Sequence, residues 1–120
     1  MKLREICGLL NASPIYLSDN QTLSKDYYWI SATDLMSEAL ANIQSEPIKT
    51  VLVTGLVHAQ SLRTAEMLDI DVLIYVYGKK LNEEDYALAK QMGKNVFTTS
   101  YSMYDVCGIL YQNGLKTAMR

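Results

Sequence analysis

The sequence holds only two cysteines, Cys7 and Cys107, and a single histidine, His58. With no CxxC spacing and no cluster of ligating side chains, the four ligands of a structural zinc site are missing, and no metal is expected. The cysteines read instead as buried free thiols. Glycine and proline are also sparse, at six and two residues, and no low-complexity segment, repeat or linker interrupts the chain, so one domain over residues 1–120 is expected. Neither GxGxxG nor GxxxxGK[ST] occurs, which excludes the glycine-rich dinucleotide and P-loop fingerprints. No block of basic residues is present: eleven Lys and Arg against thirteen Asp and Glu give a formal charge of −2, and the basic residues are scattered from Lys2 to Arg120. Nucleic acid is therefore not an expected partner. The opening Met1-Lys2-Leu3-Arg4-Glu5 carries charge where a secretory peptide needs an apolar run. No apolar stretch approaches the ~18 residues of a spanning helix, so no membrane association and a cytoplasmic location are expected.

What is present is an ordinary globular composition, 49% hydrophobic and 20% charged, in a chain long enough to build one core without staples. Leu3, Ile6, Cys7 and Leu10 recur at the spacing of one helix face. Asn11 and Pro14 end that helix. Ile15-Tyr16-Leu17 and the run from Asp26 to Ser31 read as two strands, joined as a hairpin or by a crossed connection. Thr33 or Asp34 is placed to cap a helix carrying Leu35, Met36, Ala39, Leu40 and Ile43. From there strands alternate with helices: Thr50 to Thr54, Val72 to Tyr77 and Asn95 to Thr98 as strands, and His58 to Leu68, Glu83 to Met92 and Met103 to Gln112 as helices. This order predicts an α/β domain with a mainly parallel sheet and helices on its faces. Gly93 and Gly114 stand where left-handed residues would close two helices, and Asp69 to Asp71 forms a polar turn. The residues from Leu115 are expected to form a short frayed tail.

Ligands of parallel sheets collect beyond the carboxyl ends of the strands. Those ends supply Thr54 and Gly55, Gly78 and Lys79 followed by Lys80, and Thr98, Thr99 and Ser100. Glycines that admit close approach, hydroxyls and paired lysines suit an anionic metabolite or nucleotide. The same residue types also make turns and caps, and lysines are commonly solvated. His58, at the start of a helix, is the one group with an unperturbed pKa near neutrality, yet no nucleophile or orienting partner stands at an interpretable spacing, so it reads as a surface or capping residue. Glu83, Glu84 and Asp85 fall in the first turn of a helix, where negative charge complements the dipole. Arg63 and Glu66 can pair three residues apart on an exposed face. On the last helix Met103, Val106, Cys107 and Leu110 share one face, while Tyr101, Tyr104, Gly108 and Tyr111 form a second. The first face should meet the sheet. The second suits close contact with another surface, either a second copy of the chain or the N-terminal helix, and a homodimer through this region is expected.

The segments Val51-Leu52-Val53-Thr54-Gly55-Leu56, Arg63-Thr64-Ala65-Glu66-Met67-Leu68-Asp69-Ile70 and Cys107-Gly108-Ile109-Leu110-Tyr111 resemble the DRTGG domain family, in particular its short stand-alone bacterial members. The resemblance spans nearly the whole chain, including the opening helix and the Ser31 to Leu40 region. It implies a fold similar to the N-terminal domain of HPr kinase/phosphorylase and to the DRTGG domains of some long phosphotransacetylases and CBS-domain pyrophosphatases. In those settings the chemistry belongs to other domains, so the resemblance implies a regulatory or oligomerising module with no catalytic residues, no cofactor and possible protein partners. It further implies a bacterial, anaerobic source and a link to redox and hydrogenase functions. No Asp-Arg-Thr-Gly-Gly string is present, and the nearest glycine-bearing strand end in the second half is Val76-Tyr77-Gly78-Lys79. Three functions are thus set against one another: a ligand-sensing regulatory module, a purely structural dimerisation module, and a small enzyme using His58, the last with the least in its favour.

Overall fold

Three short, mainly apolar strands form the middle of the fold: β3 (Thr50–Thr54), β4 (Val72–Tyr75) and β5 (Asn95–Thr98), every residue of which is buried. Burial on both faces is what parallel strands require when helices cover both sides. The computed structural model describes residues 1–43 and 45–118. Around the central strands lie α1 (Leu3–Leu9), β1 (Ser13–Tyr16), β2 (Trp29–Ala32), α2 (Met36–Asn42), α3 (Ala59–Met67), α4 (Glu83–Met92), α5 (Met103–Gln112) and β6 (Lys116–Thr117). The strand order is β1-β5-β4-β3-β2-β6. All neighbouring pairs are parallel except β1, which joins β5 antiparallel with an irregularity between Pro14 and Tyr16. Pro14 thus sits on an edge strand, where a missing N–H is tolerated. The α/β fold with a mainly parallel sheet is as the alternation of elements predicts.

Side-chain alternation along the strands divides the interior into two layers. Val51, Val53, Val72, Ile74, Val76 and Phe97 face one way and pack with Leu3, Ile6 and Leu10 of the α1 segment and Val106 and Leu110 of α5. Leu52, Leu73, Tyr75 and Val96 face the other and pack with Met36 of α2, Leu62 and Ala65 of α3 and Ala89 of α4. The helices after β2, β3 and β4 therefore lie on one face, and the helix after β5 lies on the opposite face.

Several local expectations change in three dimensions. The two early strands form neither a hairpin nor any shared pairing. β1 closes one edge of the sheet, β2 pairs with β3, and three strands separate them. The strand expected to run to Tyr77 ends at Tyr75, because Tyr77 has φ +63° and Gly78 φ +68°, values that turn the chain out of the sheet. The expected frayed tail is partly ordered: Lys116 and Thr117 pair with Trp29 and Ile30, and Leu115 and Ala118 are buried. Residues 119–120, also assigned to that tail, lie outside the described residues. Asp34 does not cap α2. Leu35 occupies the N-cap position without a side-chain bond, and Thr33 Oγ1 instead accepts from the Leu35 N–H at 3.0 Å. Glu66 pairs with the nearly buried Lys94 at 3.7 Å rather than with Arg63. Gly93 closes α4 at φ +70°, as expected, and the acidic first turn of α4 follows Asn82, a cap not singled out from sequence, whose side chain accepts from the Asp85 N–H.

Candidate functional site

Adjacent parallel strands whose following helices leave toward opposite faces open a crevice at their carboxyl ends, the usual place for a ligand in an open α/β sheet. In this fold that condition is met between β4 and β5. The loop after β4 leads to α4 on one face, and the loop after β5 leads to α5 on the other. These loops carry Tyr77-Gly78-Lys79-Lys80 and Thr99-Ser100-Tyr101.

The two loops are stitched together across the crevice. The Tyr77 N–H donates to the Tyr101 carbonyl at 2.9 Å, and the Gly78 N–H donates to the Thr99 carbonyl at 2.7 Å. Thr98 Oγ1 donates to the Lys79 carbonyl at 2.7 Å. Within the first loop the Lys79 N–H donates to the Val76 carbonyl at 3.3 Å, closing a tight turn with positive φ at both central positions. From this turn the Lys79 side chain reaches back over β3, where Nζ donates to the Gly55 carbonyl at 3.1 Å and stands 6.0 Å from the centre of the Tyr77 ring. Tyr77, Gly78, Lys79, Lys80 and Ser100 are all exposed.

Asp34, in the turn after β2, completes the edge. Its Oδ1 accepts from the Gly55 N–H at 2.6 Å and from Thr54 Oγ1 at 3.2 Å. A side chain at Gly55 would bring a Cβ to 3.3 Å from that oxygen and press the carboxylate outward by a few tenths of an ångström. The Gly55 N–H, which would otherwise be a donor for an anionic ligand, is thus already engaged by a carboxylate. Asp34 was read from sequence, with Thr33, as one of two candidate helix caps. Nothing local marks its true partner, which lies 21 residues away and meets it only through the parallel register of β2 with β3.

The expected site residues therefore gather at one end of the sheet but differ in access. Thr54, Thr98 and Thr99 are buried with their hydroxyls engaged. Thr54 also accepts from the Leu56 N–H at 3.0 Å, and Thr99 donates to the Leu10 carbonyl at 2.5 Å while accepting from the Tyr101 N–H. Gly55 is half-buried, and Gly78, Lys79 and Ser100 meet solvent. His58 is exposed at the N-cap of α3 with no side-chain bond to the helix. Beneath it Ser61 Oγ donates to the His58 carbonyl and shares a hydrogen with Tyr75 Oη, each at 2.8 Å. Burial pushes the Tyr75 phenol up to about 12; the Ser61 hydrogen bond partly offsets this, and the nearby Asp85 charge adds to it. Among the described residues no group of His, Cys, Asp and Glu is placed to hold a metal ion.

The second expected surface is confined to α5. Tyr104 and Tyr111 are 86% and 82% exposed, with Gly108 open to solvent between them. They do not cover α1, which removes the N-terminal helix as their partner. Tyr101 precedes the helix and departs from this group: it packs against the core on the α1 side, and its hydroxyl accepts from Asn11 Nδ2 at 3.1 Å. The two cysteines are half-buried and free, and burial raises both thiols, that of Cys7 to about 11. No helix among the described residues is long and apolar enough to cross a membrane.

No protein-family model and no curated protein matches the sequence. Among solved structures, the chain is similar to the CBS and DRTGG domains of the regulatory region of the Clostridium perfringens pyrophosphatase, crystallised with its activator diadenosine tetraphosphate. The two are 20% identical, with a TM-score of 0.69 over 99% of this chain and 50% of that one, so this chain spans half the length of its neighbour. A likeness at that level of identity establishes a shared fold, that of a region containing a DRTGG domain.

Proposed function

We propose that this chain is a non-catalytic regulatory module that senses an anionic metabolite or nucleotide at the carboxyl edge of its sheet. The observation that carries the reading is the coincidence of the β4/β5 switch point with an exposed ammonium, Lys79, held in place through the Gly55 carbonyl. Lys79, Lys80, Gly78 and Ser100 are the contact residues, and the buried Thr54, Thr98 and Thr99 hold the loops that present them. Because Asp34 engages Gly55, the ligand's negative charge sits over Lys79 and Lys80 rather than in the β3 turn. Further support comes from the similar fold in a pyrophosphatase regulatory region that is complexed with a nucleotide activator. Fold likeness transfers architecture more safely than function, so the assignment rests on the site.

Thermal melting against a panel of nucleotides and acyl phosphates tests this. A ligand at a hundredfold its dissociation constant stabilises the fold by about 2.7 kcal/mol, a shift of several degrees. The expected result is a shift with a phosphate-bearing compound that Lys79→Ala abolishes. A panel with no shift refutes the sensor.

A second reading, a homodimerisation module, is favoured by one specific observation: Tyr104 and Tyr111 stand almost fully exposed on the same helix with glycine between them. Large aromatic side chains in that state suit an interface with a second copy. The two readings are compatible, since a sensor can signal through a dimer.

A further inference from the structure

We propose that Tyr77 is a stacking platform for the base of a nucleotide whose phosphates engage Lys79; this rests on the sensor reading above and narrows its ligand class to nucleotides. Tyr77 is the first of two consecutive residues with positive φ, at +63° and +68°. Turn positions of this kind are taken mainly by asparagine, aspartate and glycine, and a bulky aromatic residue there is an outlier. Packing does not account for the tyrosine, because the residue is 57% exposed whereas Tyr75, two residues earlier, is fully buried. Nor is the loop loosely held. The Tyr77 and Gly78 N–H groups, the Lys79 carbonyl and Lys79 Nζ each make a hydrogen bond to a neighbouring segment. An unfavourable backbone conformation that its surroundings over-determine is characteristic of ligand-contact positions.

The result is an aromatic ring carried on a hydrogen-bonded turn at the switch point, with an ammonium over one face 6.0 Å from its centre, which leaves the opposite face for a base. A nucleotide carries the complementary pair, a flat base and an anionic phosphate separated by one ribose. Stacking on tyrosine accepts any base, because every base has a π-face, while the ammonium takes the phosphate charge. Simple acyl phosphates and inorganic phosphates offer only the second contact.

The test is calorimetric titration of the full chain with ATP and, separately, with inorganic tripolyphosphate, both in EDTA, for the native protein and for Tyr77→Phe, Tyr77→Asn and Lys79→Ala. The native protein is expected to bind ATP roughly five- to hundredfold more tightly than tripolyphosphate, the range of a single base–aromatic stack. Tyr77→Phe keeps that preference. Tyr77→Asn loses it, with ATP falling to the tripolyphosphate affinity, while melting no lower than the native protein because asparagine suits the turn. Lys79→Ala weakens both ligands. If the native protein binds ATP and tripolyphosphate equally, or if Tyr77→Asn retains the ATP preference, the stacking role is wrong while the anion site stands. If the native protein binds neither ligand, the nucleotide assignment and the sensor reading fall together.

Discussion

Replacing Asp34 separates two roles that one carboxylate combines. Asp34 Oδ1 accepts two hydrogen bonds, from the Gly55 N–H at 2.6 Å and from Thr54 Oγ1 at 3.2 Å, and it is exposed, which moderates what each bond contributes. Asp34→Ala is expected to cost about 1–2 kcal/mol, near the lower end for two such bonds, which in a domain of this size lowers the melting midpoint by about 4–8 °C. Asp34→Asn keeps an acceptor and should lose about 0.5 kcal/mol, the charge-assisted part. The charge has a second effect. Asp34 and Lys79 grip the N–H and the carbonyl of the same residue, Gly55, so their charges lie within roughly 9 Å, given the span of one residue. At physiological ionic strength that separation is worth roughly 0.2–0.6 kcal/mol per unit of ligand charge, so either variant should bind tripolyphosphate up to about threefold more tightly per charge. Thermal melting gives the stability limb, amide exchange at Gly55 reports loss of the bond directly, and titration gives the affinity limb. If Asp34→Ala melts within about 1 °C of the parent and Gly55 stays protected from exchange, the carboxylate does not hold the turn and the reasoning fails.

Three further outcomes are expected. Tyr75 has its phenol pushed from the ordinary 10 to about 12, chiefly by burial; the unfolded chain deprotonates first, so the contribution of this group is fully present below pH 10 and falls by about 2–3 kcal/mol as pH rises to 12, beside those of Cys7 and Tyr27, which burial also raises. Urea melts across that range should show the fall, and Tyr75→Phe should make it shallower without removing it; a Tyr75→Phe profile as steep as the native one would place the titration elsewhere. Leu115→Ala should destabilise by about 2–3 kcal/mol, since Leu115 is buried beside β6, and a loss below about 0.5 kcal/mol, typical of surface sites, would return this segment to a frayed tail. Light scattering of the native protein and of a Tyr104→Glu, Tyr111→Glu double variant tests the α5 face, with a dimer expected for the first and a monomer for the second; a double variant that remains dimeric places the contact on another surface.

Much of this protein was legible in its sequence, because local patterns depend on neighbours a few residues apart. The continuous apolar runs at Val51-Leu52-Val53 and Val72-Leu73-Ile74 read as strands buried on both faces, and their alternation with helices implied a mainly parallel sheet. Gly93 and the acidic run Glu83 to Asp85 marked the ends of α4 through backbone preference and the helix dipole. The positions of the carboxyl-edge residues followed from that order alone, which is why Gly55, Lys79 and Thr98 were foreseen at one end of the sheet. Contacts across long separations had no such signal. Strand order put β1 and β2 on opposite sides of the three central strands, brought Asp34 onto Gly55, paired residues 116–117 with β2 and buried the hydroxyls of Thr54 and Thr99. Tyr77 shows the boundary most sharply. Its sequence suits a strand, but the hydrogen bonds from Tyr77 and Gly78 to Tyr101 and Thr99 hold it in a left-handed turn. Sequence settled most of the helices and the central strands, since period and capping are local, whereas the tertiary structure decided which polar groups remain free at the sheet edge, since that depends on which distant donors and acceptors the strand order brings within bonding distance.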